Sequence, residues 1–127
     1  MKIEHTAIHV ADPPAVAAWY VQHLGLSVRL ALDEPPYTRF LADDGGHVMI
    51  ELYHNPIAPV PDYWKMHDLV LHLALVSADV PADRDRLIAA GATLVEELRT
   101  DAGDDLCMLR DPWGFAIQLC RRASPMI

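Results

Sequence analysis

The chain has 127 residues, of which 52% are apolar and 22% charged, a balance that suits one packed globule of ordinary domain size and excludes a disordered chain. Its 18 acidic residues against 10 basic ones give a net charge of -8, which repels a phosphate backbone and excludes nucleic acid as a partner. No apolar run approaches the roughly 20 residues that span a bilayer, Met1-Lys2 leads into a polar segment instead of a signal-peptide core, and Cys107 and Cys120 form neither a CxxC pair nor a disulfide framework, so a cytoplasmic chain with free thiols and no membrane partner is expected.

In chain order, an apolar, β-branched stretch predicts a strand near 3–10, ended by Asp12 as an N-cap with Pro13 in the first helical turn. The helix that follows places Val16, Trp19, Tyr20, His23 and Leu24 on one stripe and stops at Gly25, a residue suited to a left-handed C′ position. Strands are predicted near 26–32, 37–42 and 47–54, the last preceded by the turn Asp43-Asp44-Gly45-Gly46. Residues 55–68 hold Pro56, Pro59 and Pro61, which rule out a regular helix or central strand, and read as a linker. Beyond it come a strand near 69–77, a helix that starts after Asp79 with Pro81 and ends at Gly91, and strands near 92–98, 105–110 and 115–121, the last pair joined by Asp111-Pro112-Trp113-Gly114.

The two series are copies of one another. Residues 3–28 lie over 70–95 at a shift of 67, which pairs His5 with His72, Ala7 with Ala74 and Asp12 with Asp79. Gly25 and Gly91 are 66 apart, and the shift of 67 returns afterwards, setting Ile50 over Ile117, Leu52 over Leu119 and Glu51 over Gln118. The pattern predicts an α+β fold of two tandem βαβββ modules that form a curved mixed sheet around a central cavity. One domain, 1–127, would be built of repeats 1–54 and 69–127 joined by the linker 55–68. The linker is long enough for the halves to pair within one chain or to exchange between two, and a homodimer is expected.

Residues two apart in a strand share a face, so His5 points with Ala7 and His9, and His72 with Ala74. A lone strand histidine is more often a hydrogen-bonded core or surface residue than a ligand, and Glu51 by itself would be an outward-facing or costly buried carboxylate. Four metal-competent residues at two pairs of equivalent positions change that reading. His5, Glu51, His72 and Gln118 offer two imidazoles, a carboxylate and an amide oxygen, a mixed N/O set suited to a divalent metal such as Zn, Ni, Co, Mn or Fe. His9 shares the parity of His5 and reads either as a proton carrier or anion contact at the cavity edge, or as a strand-end histidine touching water. A four-residue turn at Asp111–Gly114 would set Cys107 opposite Gln118, where it would line the cavity or serve as a small buried hydrophobe. Tyr63 and Trp64 read as a lid, or as side chains packed on the adjacent sheet or a dimer partner. No GxSxG elbow, phosphate-cradling loop or dinucleotide fingerprint occurs.

The opening His5-Thr6-Ala7-Ile8-His9-Val10-Ala11-Asp12, the helix exit Trp19-Tyr20…Leu24-Gly25-Leu26 and the run Asp111-Pro112-Trp113-Gly114-Phe115-Ala116-Ile117-Gln118-Leu119 resemble recurrent motifs of the vicinal-oxygen-chelate superfamily of glyoxalases, bleomycin-resistance proteins and extradiol dioxygenases. Nearly the whole chain takes part in the resemblance. It implies that His5, Glu51 and His72 match three ligand positions of bacterial glyoxalase I, whose glutamate-bearing strand is similar to Glu51-Leu52-Tyr53-His54-Asn55. The fourth position departs, with Gln118 where that family usually has glutamate. Thiol transferases and dioxygenases of the superfamily bind metal with two histidines and a C-terminal glutamate, so Gln118 argues against both. His9 stands where bacterial glyoxalase I tends to carry an arginine, which argues against glutathione as the thiol carrier.

The expected activity is that of a metal-dependent, glyoxalase-like lyase or isomerase acting on a small 2-oxo or 2-hydroxy substrate, with Glu51 as the catalytic base. The alternative is a non-catalytic small-molecule or drug-binding protein of the bleomycin-resistance kind, which has no need of imidazoles aligned with a carboxylate.

Overall fold

A computed structural model of the chain describes residues 1–46 and 49–126, which form two compact units, Met1–Pro61 and Asp62–Ile127. The first contains β1 (Thr6–His9), α1 (Pro13–Leu24), β2 (Ser27–Ala31), β3 (Arg39–Ala42) and β4 (Met49–Tyr53) in a four-stranded sheet of order β1-β4-β3-β2. The second repeats this with β5 (Leu73–Val76), α2 (Val80–Ala89), β6 (Thr93–Arg99), β7 (Asp105–Arg110) and β8 (Ala116–Arg121) in the order β5-β8-β7-β6. The fold is therefore α+β with two tandem βαβββ modules, each with one parallel pair and two antiparallel pairs. The expected start of the fourth strand at 47, and His47 itself, lie outside the described residues. No helix among the described residues is long and apolar enough to cross a membrane.

Local chemistry explains the repeat. The side chains of Asp12 and Asp79 cap their helices, accepting hydrogen bonds from the Ala15 and Ala82 amides at 3.0 and 3.1 Å. A proline follows in each first turn, where a missing N–H costs nothing. Gly25 ends α1 at φ +74°, a left-handed conformation that favours glycine.

Each sheet is covered on one face by its own helix. In the first unit α1 packs on β3 and β4, and the covered face buries Ile8, Leu41, Ile50 and Leu52 beside Val16 and Tyr20 of the helix. In the second, Arg84 of α2 reaches Glu97 of β6 at 2.5 Å, and the same face buries Cys107, Leu109, Ile117 and Leu119. Each large apolar side chain removed from water in this way stabilises its unit by roughly 1.5–3 kcal/mol. The alternating residues, among them Glu51 and Gln118, occupy the opposite face.

The internal shift between the modules is not uniform. Ala7, Glu51, Phe40 and Leu30 form one rung across the first sheet, and Ala74, Gln118, Met108 and Glu96 form the corresponding rung of the second. Both sheets carry a bulge at the matching place, between Val28 and Leu30 and between Leu94 and Glu96.

The partner of Gln118 is thus Met108, whereas the expected four-residue turn set Cys107 there. The physical reason lies in the β7–β8 hairpin. Asp111 is buried, and its carboxylate accepts hydrogen bonds from the Trp113 and Phe115 amides at 2.9 Å, while its own amide donates to the Phe115 carbonyl at 2.9 Å. Asp111 and Phe115 therefore face one another, the loop is Pro112-Trp113-Gly114, and the register moves by one residue, which turns Cys107 to the helix side.

Arg110 clamps the segment before β5 onto this hairpin, donating to the carbonyls of Tyr63, Met66 and Gly114 at 2.7–2.8 Å. Tyr63 is buried edge-on against Phe115, with ring centroids 5.1 Å apart, and the Trp64 indole lies directly over Gly114. Both aromatic residues pack on their own sheet.

Candidate metal centre

The first strands are shorter than the sequence predicts, and His5 and His72 each stand one residue ahead of them. Residues 68–71 turn, with the Val70 amide bonded to the His67 carbonyl at 3.0 Å, so pairing with β8 starts only at Leu73. Leu69 and Val70 are left largely exposed.

Within the first unit the structure brings His5 and Glu51 together. His5 Nε2 lies 3.3 Å from Glu51 Oε2, with the Phe40 ring edge-on to the imidazole at 5.3 Å. Glu51 is half-buried, whereas His5 lies at the exposed end of the strand. The other ring nitrogen, Nδ1, is bonded to the Glu4 carboxylate. That bond, supplemented by the negative charge of Glu4 and Glu51 and opposed by desolvation, raises the His5 pKa above the ordinary 6.5.

In the second unit His72 is exposed, and its Nδ1 lies 3.2 Å from the Asp68 carbonyl oxygen, to which it donates. Gln118 is half-buried on β8, and its Oε1 accepts a hydrogen bond from the Cys120 thiol at 3.2 Å. The two histidines therefore share a pattern: Nδ1 is held by an oxygen acceptor, a carboxylate in one case and a backbone carbonyl in the other, and Nε2 is the nitrogen left for a further ligand. Metal-bound imidazoles are oriented by this kind of outer bond. Neither Glu4 nor Asp68 was singled out in the sequence. Glu4 adjoins His5, but in a regular strand neighbouring side chains point to opposite faces, and only the late start of β1 lets the two meet.

Among the described residues, no three His, Cys, Asp or Glu side chains cluster closely enough to hold an ion. Within the first unit the His5 imidazole and the Glu51 carboxylate face one another at 3.3 Å, and imidazole nitrogen and carboxylate oxygen are donor types that a divalent cation accepts.

His9 is 8% exposed and engaged: its Nε2 accepts from the Asn55 amide at 2.9 Å, and its ring stacks on Tyr53 at 5.0 Å. It ties the end of β1 to the chain after β4. Cys107 is fully buried on the helix side of its sheet, and burial pushes its thiol pKa up to about 11. Burial also raises the thiol of Cys120, which lies on the Gln118 face.

Comparison with known proteins gives these features a context. The sequence model of the Glyoxalase/Bleomycin resistance protein/Dioxygenase superfamily matches residues 2–119. Curated proteins show no significant match. Among solved structures, a glyoxalase family protein from Bacillus cereus is 19% identical, with 98% of this chain and 95% of that chain covered at a TM-score of 0.80. A lactoylglutathione lyase from Agrobacterium tumefaciens is 23% identical, covering 94% and 92% at a TM-score of 0.69. TnmS3, an antibiotic binding protein from Streptomyces, is 24% identical, covering 97% and 99% at 0.71. These likenesses concern the fold, and the relatives bearing it include both an enzyme and a binding protein.

Proposed function

Because the chain belongs to the glyoxalase, bleomycin-resistance and dioxygenase superfamily, we propose that it is a metal-dependent lyase or isomerase acting on a small 2-oxo or 2-hydroxy compound. The observation that carries this reading is the presentation of His5 Nε2 at 3.3 Å from the Glu51 carboxylate, with Nδ1 already bonded to Glu4. His72, whose Nδ1 is likewise engaged, is the equivalent ligand from the second repeat. His5, His72, Glu51 and Gln118 would hold a divalent ion of the Zn, Ni, Co, Mn or Fe kind, and a homodimer in the cytoplasm is the form we assign to the protein.

A divalent ion held with one carboxylate ligand would supply a site of net charge about +1, able to polarise substrate oxygens and to stabilise negative charge developing on them. The residues of the chain do the rest. Glu51 takes the proton from the hydroxyl-bearing carbon beside the carbonyl and returns it to the former carbonyl carbon, while the hydroxyl proton passes to the former carbonyl oxygen, so that carbonyl and hydroxyl exchange places. Glu4 holds Nδ1 of His5 and so orients Nε2 towards Glu51. Gln118 contributes no second base, so the proton is carried on one face of the substrate by one carboxylate.

A second reading, sequestration of a ligand without turnover, is favoured by the amide at Gln118, which leaves a single carboxylate among the four ligands. Elemental analysis of untagged protein purified without chelator, wild type against the His5→Ala/His72→Ala double variant, tests the first reading. Near-stoichiometric metal lost in a still-folded variant supports it. If reconstitution with Ni, Zn, Co and Mn leaves the wild type metal-free, the sequestering reading replaces it.

A further inference from the structure

The exposed side of β5 and the end of β8 form a groove of about 270 Å³ with the C-terminal segment, lined by Ala74, Val76, Cys120, Pro125 and Met126 among others. Its floor is the Gln118 face of the second sheet: Ala74 pairs with Gln118, Val76 pairs with Cys120, and the Cys120 thiol donates to Gln118 Oε1 at 3.2 Å. Two of the lining residues, Ala74 and Cys120, are therefore the immediate neighbours of the Gln118 amide, and the groove lies beside it on the same face of the sheet.

Two features define what it would take. Its charged neighbours are already paired, Arg121 with Asp105 at 3.0 Å and Arg122 with Asp104 at 2.9 Å, so the lining offers apolar surface with its guanidinium charges compensated. Val76 and Met126 are 71% and 79% exposed, apolar surface that an occupant would remove from water. The volume falls just below the roughly 300–1,000 Å³ of pockets that enclose whole drug-sized ligands, and fits an arm better than an entire molecule.

We propose that this groove binds the apolar arm of the substrate, so that the compound handled by the site is a 2-oxo or 2-hydroxy compound with an alkyl or aryl chain and not a short, fully polar one. The inference rests on the chelating function proposed above. The arm lies along Ala74, Val76 and Met126, and the vicinal oxygens point towards Gln118.

The test combines two probes. In methyl NMR of metal-free protein, 1-octanol, which has no vicinal oxygens, shifts the Ala74, Val76 and Met126 methyls saturably and leaves those of Ala17 and Leu87 in place. In calorimetry with Ni-loaded protein, affinity rises about fourfold per methylene from pyruvate to 2-oxohexanoate, and Val76→Asp abolishes that gain. Affinity that stays flat along the series while pyruvate binds overturns the groove and leaves the chelating function standing. Octanol shifts with no 2-oxo acid bound under any metal overturn both, because the groove then serves a ligand unrelated to chelation.

Discussion

His5 and Glu51 meet although they do not share a rung: Glu51 pairs with Ala7, and the imidazole reaches across from one residue ahead of β1 to place Nε2 3.3 Å from the carboxylate. The pair is held from behind by Glu4 on His5 Nδ1 and from the side by Phe40. A geometry fixed by two neighbours before any ligand arrives lowers the ordering cost of binding.

Glu51→Gln retains the size and hydrogen-bonding capacity of the side chain and removes its charge. The variant is expected to fold normally by circular dichroism, to hold metal less tightly, and to lose proton-transfer activity by roughly a hundredfold or more. Activity within a factor of two of wild type would assign the base elsewhere.

Metal uptake should depend on pH with a defined sign. The His5 pKa is raised, first by its hydrogen bond to Glu4 and then by the charges of Glu4 and Glu51. The stabilisation that this gives the metal-free fold is complete at low pH and is lost as pH rises through the raised value. Because the metal requires the neutral imidazole, uptake increases over the same window, with a midpoint above the ordinary histidine value. Glu4→Gln is expected to move that midpoint down and to weaken the high-pH plateau roughly tenfold or more, through loss of the outer bond. Histidine NMR titration and metal titration at several pH values check both parts.

Gly114 has φ +89°, and a Cβ there would come within 2.6 Å of the Trp64 ring. Gly114→Ala is expected to destabilise the protein by roughly 2–4 kcal/mol in urea unfolding, from backbone strain and steric overlap together. Combining it with Trp64→Ala should restore only the steric share, so the double variant is more stable than the two single changes would sum to.

Asp111→Ala leaves the Trp113 and Phe115 amides without their acceptor in a buried hairpin. A loss of about 2–4 kcal/mol is expected. Asp111→Asn keeps one acceptor oxygen and should recover at least half of it. Equal losses in both variants would mean that the carboxylate charge, and not the hydrogen bonds, maintains the turn.

Several features were legible in the residues alone because the physics behind them is local. Asp12 and Asp79 followed by proline mark helix starts, Gly25 marks a left-handed exit, and apolar alternation marks strands. Repetition of these signals set His5 over His72 and Glu51 over Gln118, and so named the candidate ligands and the tandem βαβββ order. Other features depended on bonds between residues remote in the chain or hidden inside a turn. The Asp111 carboxylate shortens the β7–β8 loop by one residue, which puts Met108 and not Cys107 beside Gln118. The late entry into β1 lets Glu4 turn back onto His5, and the Asn55 amide occupies His9. Arg110 gathers carbonyls from the segment before β5 that no sequence period links to it. Periodicity reports which face a residue occupies only while the register is unbroken, and register is decided by the hydrogen bonds that the folded chain closes.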